Sequence, residues 1–399
     1  MSSIPEARVA ERVGVESLTG VRAQGELATA VSMPTRLASL DVFRGLTIAG
    51  MILVNNPGTW SAIYPPLQHA EWHGWTPTDL IFPFFIFIVG VAMTFSFANR
   101  KARGDTDAQL MVQVFRRSLI IFGLGLFLNG LPFFNLSTIR IPGVLQRIAV
   151  CYFFSGLIFL KTRLRGQIIA IGVLLFAYWA LMMLVPVPGY GAGALTPEGN
   201  LAAYIDSTLL HRHMYRATWD PEGILSTIPA IGTALFGALV GHLLRSERSQ
   251  QEKFRLLIAG GALAAVVGWV WGLVFPINKN LWTSSYVVFS AGLASIFLAI
   301  CYWIIDIRGW KRWALPFTIF GLNSILVFVL SGVLGRILVL IKVHAIDGKE
   351  MALKTYLFKT LFASVASPIN ASLLFAICYV LLWLGVMTIL YKKRFFLKI

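Results

Sequence analysis

Charge is scarce in this sequence. Asp, Glu, Lys and Arg make up 13% of its 399 residues, about half the share of an ordinary soluble domain. Hydrophobic residues make up 57%, and the mean hydropathy is +0.73. Together these values exclude a water-soluble globule. Only three cysteines occur, Cys151, Cys301 and Cys378, each inside an apolar run, so neither a disulfide framework nor a thiolate metal site follows. The sequence has no phosphate-cradling Walker loop, dinucleotide glycine fingerprint or HExxH zinc motif, which disfavours an ATP-driven pump. Residues 1–36 have no sustained apolar run and are expected to form a cytoplasmic, disordered tail, neither a signal nor a span. The excess of 34 Lys and Arg over 18 Asp and Glu gives a net charge of +16. The basic residues sit in short clusters between apolar runs and form no single patch, so they mark topology and not a nucleic-acid surface.

What the sequence has in quantity is apolar runs of about 20 residues, the length a helix needs to cross a hydrocarbon core. The expectation is an all-α polytopic bundle of ten transmembrane helices over residues 37–399, with spans at 37–55, 80–98, 114–134, 143–160, 167–185, 224–244, 256–275, 283–304, 314–341 and 368–391. The connecting segments alternate in charge. The two tails with 99–117, 161–165, 245–255 and 305–313 hold 23 Lys and Arg, against 8 in the other five loops. The positive-inside rule then puts both termini in the cytoplasm, and the short compact chain favours a cell inner membrane, which it would cross as a multi-pass protein. Its first partner is the lipid bilayer, and a homodimer stays open.

Polar residues inside or beside spans are costly and therefore point to function. In SLDVFRGLT (39–47), Asp41 and Arg44 share a helical face; they form a structural pair, or Arg44 meets a phosphate-bearing ligand. The loop 55–84 leaves the first span at Asn55 and Asn56 and carries His69, His73 and Asp79 without a Lys or Arg. Asp79 is a helix cap, with Thr78 as the alternative, or a partner for chemistry. His69 and His73 are four apart but lie among Trp, Gly and Pro, so no metal site is expected. A histidine near Asn and Asp at a membrane surface suits proton transfer, because imidazole titrates near pH 6.5. In IPGVLQRIAVCY (141–152), Arg147 either snorkels to headgroups or binds an anion or polarised carbonyl. Asp220 is a candidate helix start. Asn278, Lys279 and Asn280 offer donors to a polar ligand, and Asn323 with Ser324 is either interhelical glue or a pathway lining.

The segments SLDVFRGLTIAGMILVNN (39–56), LQHAEWHGWTPTDLIFPFFIFIVG (67–90), IPGVLQRIAVCYF (141–153), DPEGILSTI (220–228), FPINKNLW (275–282) and LNSILV (322–327), in this order, resemble the transmembrane acetyltransferases typified by heparan-alpha-glucosaminide N-acetyltransferase, especially bacterial NagX-type relatives. The resemblance spans Leu37 to Tyr391, without a counterpart to the lumenal domain and extra first span of the eukaryotic enzyme. It implies transfer of acetyl from cytosolic acetyl-CoA to the amine of an amino sugar, alone or within a glycan, on the far side of the membrane. It also implies that His69, the histidine of HAxWxG, is catalytic with Asn55 as its partner. Asp79, Arg147, Asn278, Lys279, Asn323 and Arg44 are then expected to bind substrate or acetyl-CoA, with no metal. An amino-sugar transporter without catalysis is the competing expectation.

Overall fold

Runs of twenty apolar residues in hydrocarbon must pair every backbone N–H and C=O internally, and helices do so within one segment. The computed structural model describes residues 37–344 and 350–397; the expected tail over 1–36 lies outside the described residues. Among the described residues, nine helices are long and apolar enough to cross a membrane. They are α1 (Ala38–Asn55), α2 (Pro77–Lys101), α3 (Asp107–Gly130), α4 (Val144–Lys161), α5 (Leu164–Leu184), α7 (Ile224–Arg245), α8 (Gln250–Trp271), α9 (Ser284–Tyr302) and α13 (Pro368–Lys392). The chain is a multi-pass membrane protein. α6 (Leu201–Leu209) and α12 (Leu353–Leu361) are short loop helices, and strands β1 (Lys342–His344) and β2 (Glu350–Ala352) pair antiparallel. None of these four loop elements shows in the hydropathy pattern.

The span expected at 314–341 is broken. It consists of α10 (Leu315–Leu322) and α11 (Ser324–Leu340), bent by 73° at Asn323. Asn323 leaves helical geometry (φ −124°, ψ 37°), and its side-chain amide donates to Phe395 O (3.0 Å) and accepts from Leu397 N (2.9 Å). A polar side chain that binds a distant backbone segment offers the chain an alternative to continuing the helix.

Helices α1, α2, α4, α7 and α9 have half or more of their apolar windows buried, whereas α3, α5, α8 and α13 have 28% or less and form the lipid-facing layer. Missing side chains allow the central helices to approach closely. A Cβ on Gly90 of α2 would sit 1.8 Å from Ala234 O of α7, and one on Gly237 of α7 would sit 2.0 Å from Phe87 O of α2. Gly45 of α1 and Gly321 of α10 make the same reciprocal contact with Phe317 O and Asp41 O. These crossings lock the elements that carry Asn55 and Asp79. Successive spans alternate in direction, so the loops 56–76, 131–143, 185–223 and 272–283 and the described segments 341–344 and 350–367 gather at one end with Asn55. The short, basic connections gather at the other, with Arg44.

Candidate active site

α2 begins where Thr76, in extended geometry, caps it, and Asp79 is its third residue. The cap is therefore Thr76, and neither Thr78 nor Asp79 holds the cap position. Asp79 still has a capping role, combined with a second one. Its Oδ2 accepts from Thr76 N (3.0 Å), Thr76 Oγ1 (3.1 Å) and Ala70 N (3.0 Å), while its Oδ1 lies 2.6 Å from His69 Nδ1. One oxygen secures the helix start and the other holds the imidazole. A carboxylate only accepts, so in the neutral imidazole the proton sits on His69 Nδ1 and the lone pair on Nε2. Asp79 is 2% exposed at its side chain and His69 49%, so the imidazole is anchored from below and open above.

The anchor extends through the backbone. Pro83 has no N–H to give to the carbonyl four residues earlier, which is that of Asp79. The hydroxyl of Tyr286, on α9, donates to that carbonyl instead.

Lys279 closes the cluster from the 272–283 loop, with Nζ 3.0 Å from His69 Nδ1 and 3.4 Å from Asp79 Oδ1. Burial pushes the Lys279 ammonium below its usual range, against the opposing pull of Asp79 and Glu222. Its neighbour Asn278 has a different task. Fully buried, it accepts from Leu281 N (2.9 Å) and meets His73 Nδ1 (3.3 Å), which braces the loop. Tyr178 fixes the same loop by donating to Leu281 O (2.6 Å).

His69, Lys279 and Asn55 line one cavity of about 390 Å³, together with Glu71, Glu222 and Arg140. Asn278 and Arg147 are not in its wall. Arg147 is 2% exposed, so it does not snorkel; it donates to Gly223 O and Ser226 Oγ and lies 5.0 Å from the centre of the Trp282 ring. The carbonyl it binds belongs to the protein, at the start of α7. Asp220 does not start that helix, whose cap is Gly223. It instead accepts from Arg140 Nε (2.8 Å) and Nη2 (2.6 Å), and Glu222 takes a further bond from Arg140 Nη2. Burial alone would lower the Arg140 pKa, but these two carboxylates outweigh it and raise it. Sequence reasoning missed Arg140 as a site residue, although it is the lone Lys or Arg in the loop 131–143.

At the other end, Arg44 and Asn323 line a cavity of about 330 Å³ with Arg117 and Gln113. Arg44 contacts Asp41 Oδ1 (3.3 Å) and Gly321 O (3.4 Å), and Arg117 lies over Tyr152, 5.2 Å from the ring centre. Arg117 was legible only as one of a cluster of basic residues. Between the two ends, Ile48, Met51, Phe85, Ile148, Ile325 and Phe328 surround a void of about 10 Å³. Phe85, Ile148 and Ile325 also line the Arg44 cavity, and Met51 also lines the His69 cavity. An apolar waist thus shares lining residues with both cavities.

The profile of the family described as "Heparan-alpha-glucosaminide N-acetyltransferase, catalytic" matches residues 36–275, which include Asn55, His69, Asp79 and Arg140 and stop four residues before Lys279. The human protein named heparan-alpha-glucosaminide N-acetyltransferase is 31% identical over 357 residues, covering 75% of this chain and 53% of the human one. Its mouse counterpart is 29% identical over 427 residues, covering 92% of this chain and 61% of the mouse one. The chain thus spans about half to three-fifths of the length of these curated relatives.

Proposed function

Since this chain belongs to the heparan-alpha-glucosaminide N-acetyltransferase family, we propose that it is a membrane-embedded acetyltransferase moving an acetyl group from acetyl-CoA to the amine of an amino sugar. The observation that carries this reading is the Asp79–His69–Lys279 cluster, whose His69 and Lys279 line a cavity together with Asn55 while Asp79 holds the imidazole from behind the wall. Attack on a thioester needs a neutral amine. His69 Nε2 takes a proton from the sugar ammonium and releases it to solvent, and the freed nitrogen attacks the thioester carbonyl. Nε2 then removes the second proton that this nitrogen must lose, and the C–S bond breaks as the CoA thiolate leaves and takes that proton from the imidazolium. Asp79 keeps the imidazole in the tautomer this step requires and stabilises the imidazolium that forms, as the carboxylate does in a Ser-His-Asp triad. Lys279 and Asn55 supply donors for the tetrahedral oxyanion.

The donor side of the reading rests on the second cavity. Arg44 and Arg117 suit the phosphates of acetyl-CoA, and the apolar waist suits the passage of its acyl-bearing arm toward His69. By the charge asymmetry of the loops, the Arg44 end faces the cytoplasm of a cell inner membrane and His69 faces the opposite side. Purified protein incubated with acetyl-CoA and a panel of amino sugars should yield N-acetylated sugar and free CoA by mass spectrometry. A transporter forms neither, so uptake of amino sugar into vesicles without acetylated product would replace this reading.

A further inference from the structure

The His69 cavity opens beside a larger chamber of about 610 Å³ with a different charge. Met51, Asn55, Arg140 and Val144 line both, so one molecule can occupy the two together. Glu71 and Glu222 stand in the His69 cavity. Among the described residues the chamber wall has no Asp or Glu, and it carries Arg140, Arg336 and Lys354.

Arg140 is neutralised by Asp220 and Glu222. The other two cations are not so matched. Arg336, half-buried on α11, donates to Gly332 O (3.1 Å) and has no carboxylate partner among the described residues. Lys354, at the start of α12, lies 5.8 Å from the centre of the Phe375 ring and likewise has none. Burial pushes its pKa down. Gln146, also in the wall and 4% exposed, has a buried Nε2 without a partner. Two cations in one concave wall, with no acid among the described residues to satisfy them and an unpartnered amide nitrogen buried behind that wall, raise the free energy of the empty site and lower it when an anion enters. Lys354 also belongs to 342–367, which holds four of the eight Lys and Arg in the sparsely basic loop set; topology does not call for it there.

Resting on the acetyltransferase reading above, we propose that the acceptor is an amino sugar bearing an anionic group, a phosphate, sulfate or carboxylate, whose anion is held by Arg336 and Lys354 while its amine lies at His69. The carboxylates of the His69 cavity favour the ammonium end, and the chamber favours the opposite end.

The test uses the full chain in nanodiscs of neutral phosphatidylcholine with glucosamine, glucosamine 6-phosphate, glucosamine 6-sulfate and muramic acid. At least one anionic sugar should show a kcat/KM about tenfold or more above that of glucosamine, the effect of one charge-assisted contact of roughly 1.4 kcal/mol. Lys354→Gln and Arg336→Gln should bring that ratio toward one, and Arg336→Lys, which keeps the charge, should preserve most of it. Equal kcat/KM for all four sugars overturns the proposal. So does an increase confined to the KM for acetyl-CoA in the variants, which would assign the chamber to the donor's phosphates. Loss of the preference when anionic lipid is added overturns it too, because a headgroup then fills the chamber. Thermal stabilisation by the anionic sugars without acetyl-CoA separates the two readings. Stabilisation of the wild type that Lys354→Gln loses, with no acetylated product, keeps the anion site and removes the enzyme; product formation without anion preference does the reverse.

Discussion

Tyr286 donates its hydroxyl proton to the backbone carbonyl of Asp79, 207 residues away in sequence. Pro83 makes this bond necessary, because it leaves that carbonyl without its helical donor. Both groups are buried. Tyr286→Phe removes the donor and keeps the ring, so it should cost about 1–3 kcal/mol of stability, the penalty of an unsatisfied buried carbonyl. Turnover should fall with it, since Asp79 positions His69. A thermal midpoint and kcat both unchanged in Tyr286→Phe would show that another group satisfies the carbonyl.

His69 and His73 are neighbours with different environments. His69 lines the cavity and is bonded to Asp79, while His73 meets the loop brace Asn278. His69→Ala should therefore lower turnover by about 10²–10⁴-fold, the usual contribution of a general base, and His73→Gln should be mild. Asp79→Asn should approach the loss of His69→Ala, because its amide can present a donor where a tautomer-fixing acceptor is needed. Steady-state kinetics on monodisperse protein decide this; equal losses at both histidines would remove the special place of His69.

The helices were legible because membrane burial writes itself into composition, and α1 matches its expected span to within a residue at the start. The break at Asn323 was not legible. Its cause is the return of residues 395–397 to its side chain, a contact 72 and 74 residues distant. The same holds for Arg140, whose counter-ions are 80 and 82 residues away, and for Arg147, whose depth depends on how α4, α7 and the 272–283 loop pack. His69 was preferred over His73 only through the resemblance of HAEWHGW to the family motif. Geometry now supplies a physical ground for that preference in Asp79 Oδ1. Lys279 was expected on account of its loop, and Asn278, chosen for the same reason, turned inward to hold that loop together.

Sidedness follows from the loops. Ser61 and Ala102 are both exposed, one in the long loop before α2 and the other just after it. With 23 of the loop and tail cations on the Ala102 side and 8 on the Ser61 side, cysteine at 61 should react with an impermeant thiol reagent on intact cells, and cysteine at 102 should react only after lysis. The reverse labelling would invert the direction proposed for acetyl transfer.

Asp206 gives the protein a pH dependence of its own. It lies on α6, is 1% exposed, and accepts from Ile224 N (2.8 Å) at the start of α7. Burial raises its pKa from 3.8 to about 7; the Ile224 amide and Arg147 pull against this, and Asp220 adds to it. Between about pH 4 and pH 7 the unfolded chain has lost this proton while the folded chain retains it. The folded state binds more protons across that window, so stability must fall as pH rises through it and level off above pH 7. A shift of about three units corresponds to roughly 4 kcal/mol. Asp206→Asn does not titrate, yet its carbonyl oxygen can still accept from Ile224 N. The thermal midpoint of the wild type should therefore drop relative to that of Asp206→Asn as pH is raised from 4.5 to 7.5, with the variant the more stable at the upper end. Parallel midpoint curves for the two proteins across that range would show that Asp206 is ionised in the folded state at low pH as well, and that Arg147 is its effective counter-ion.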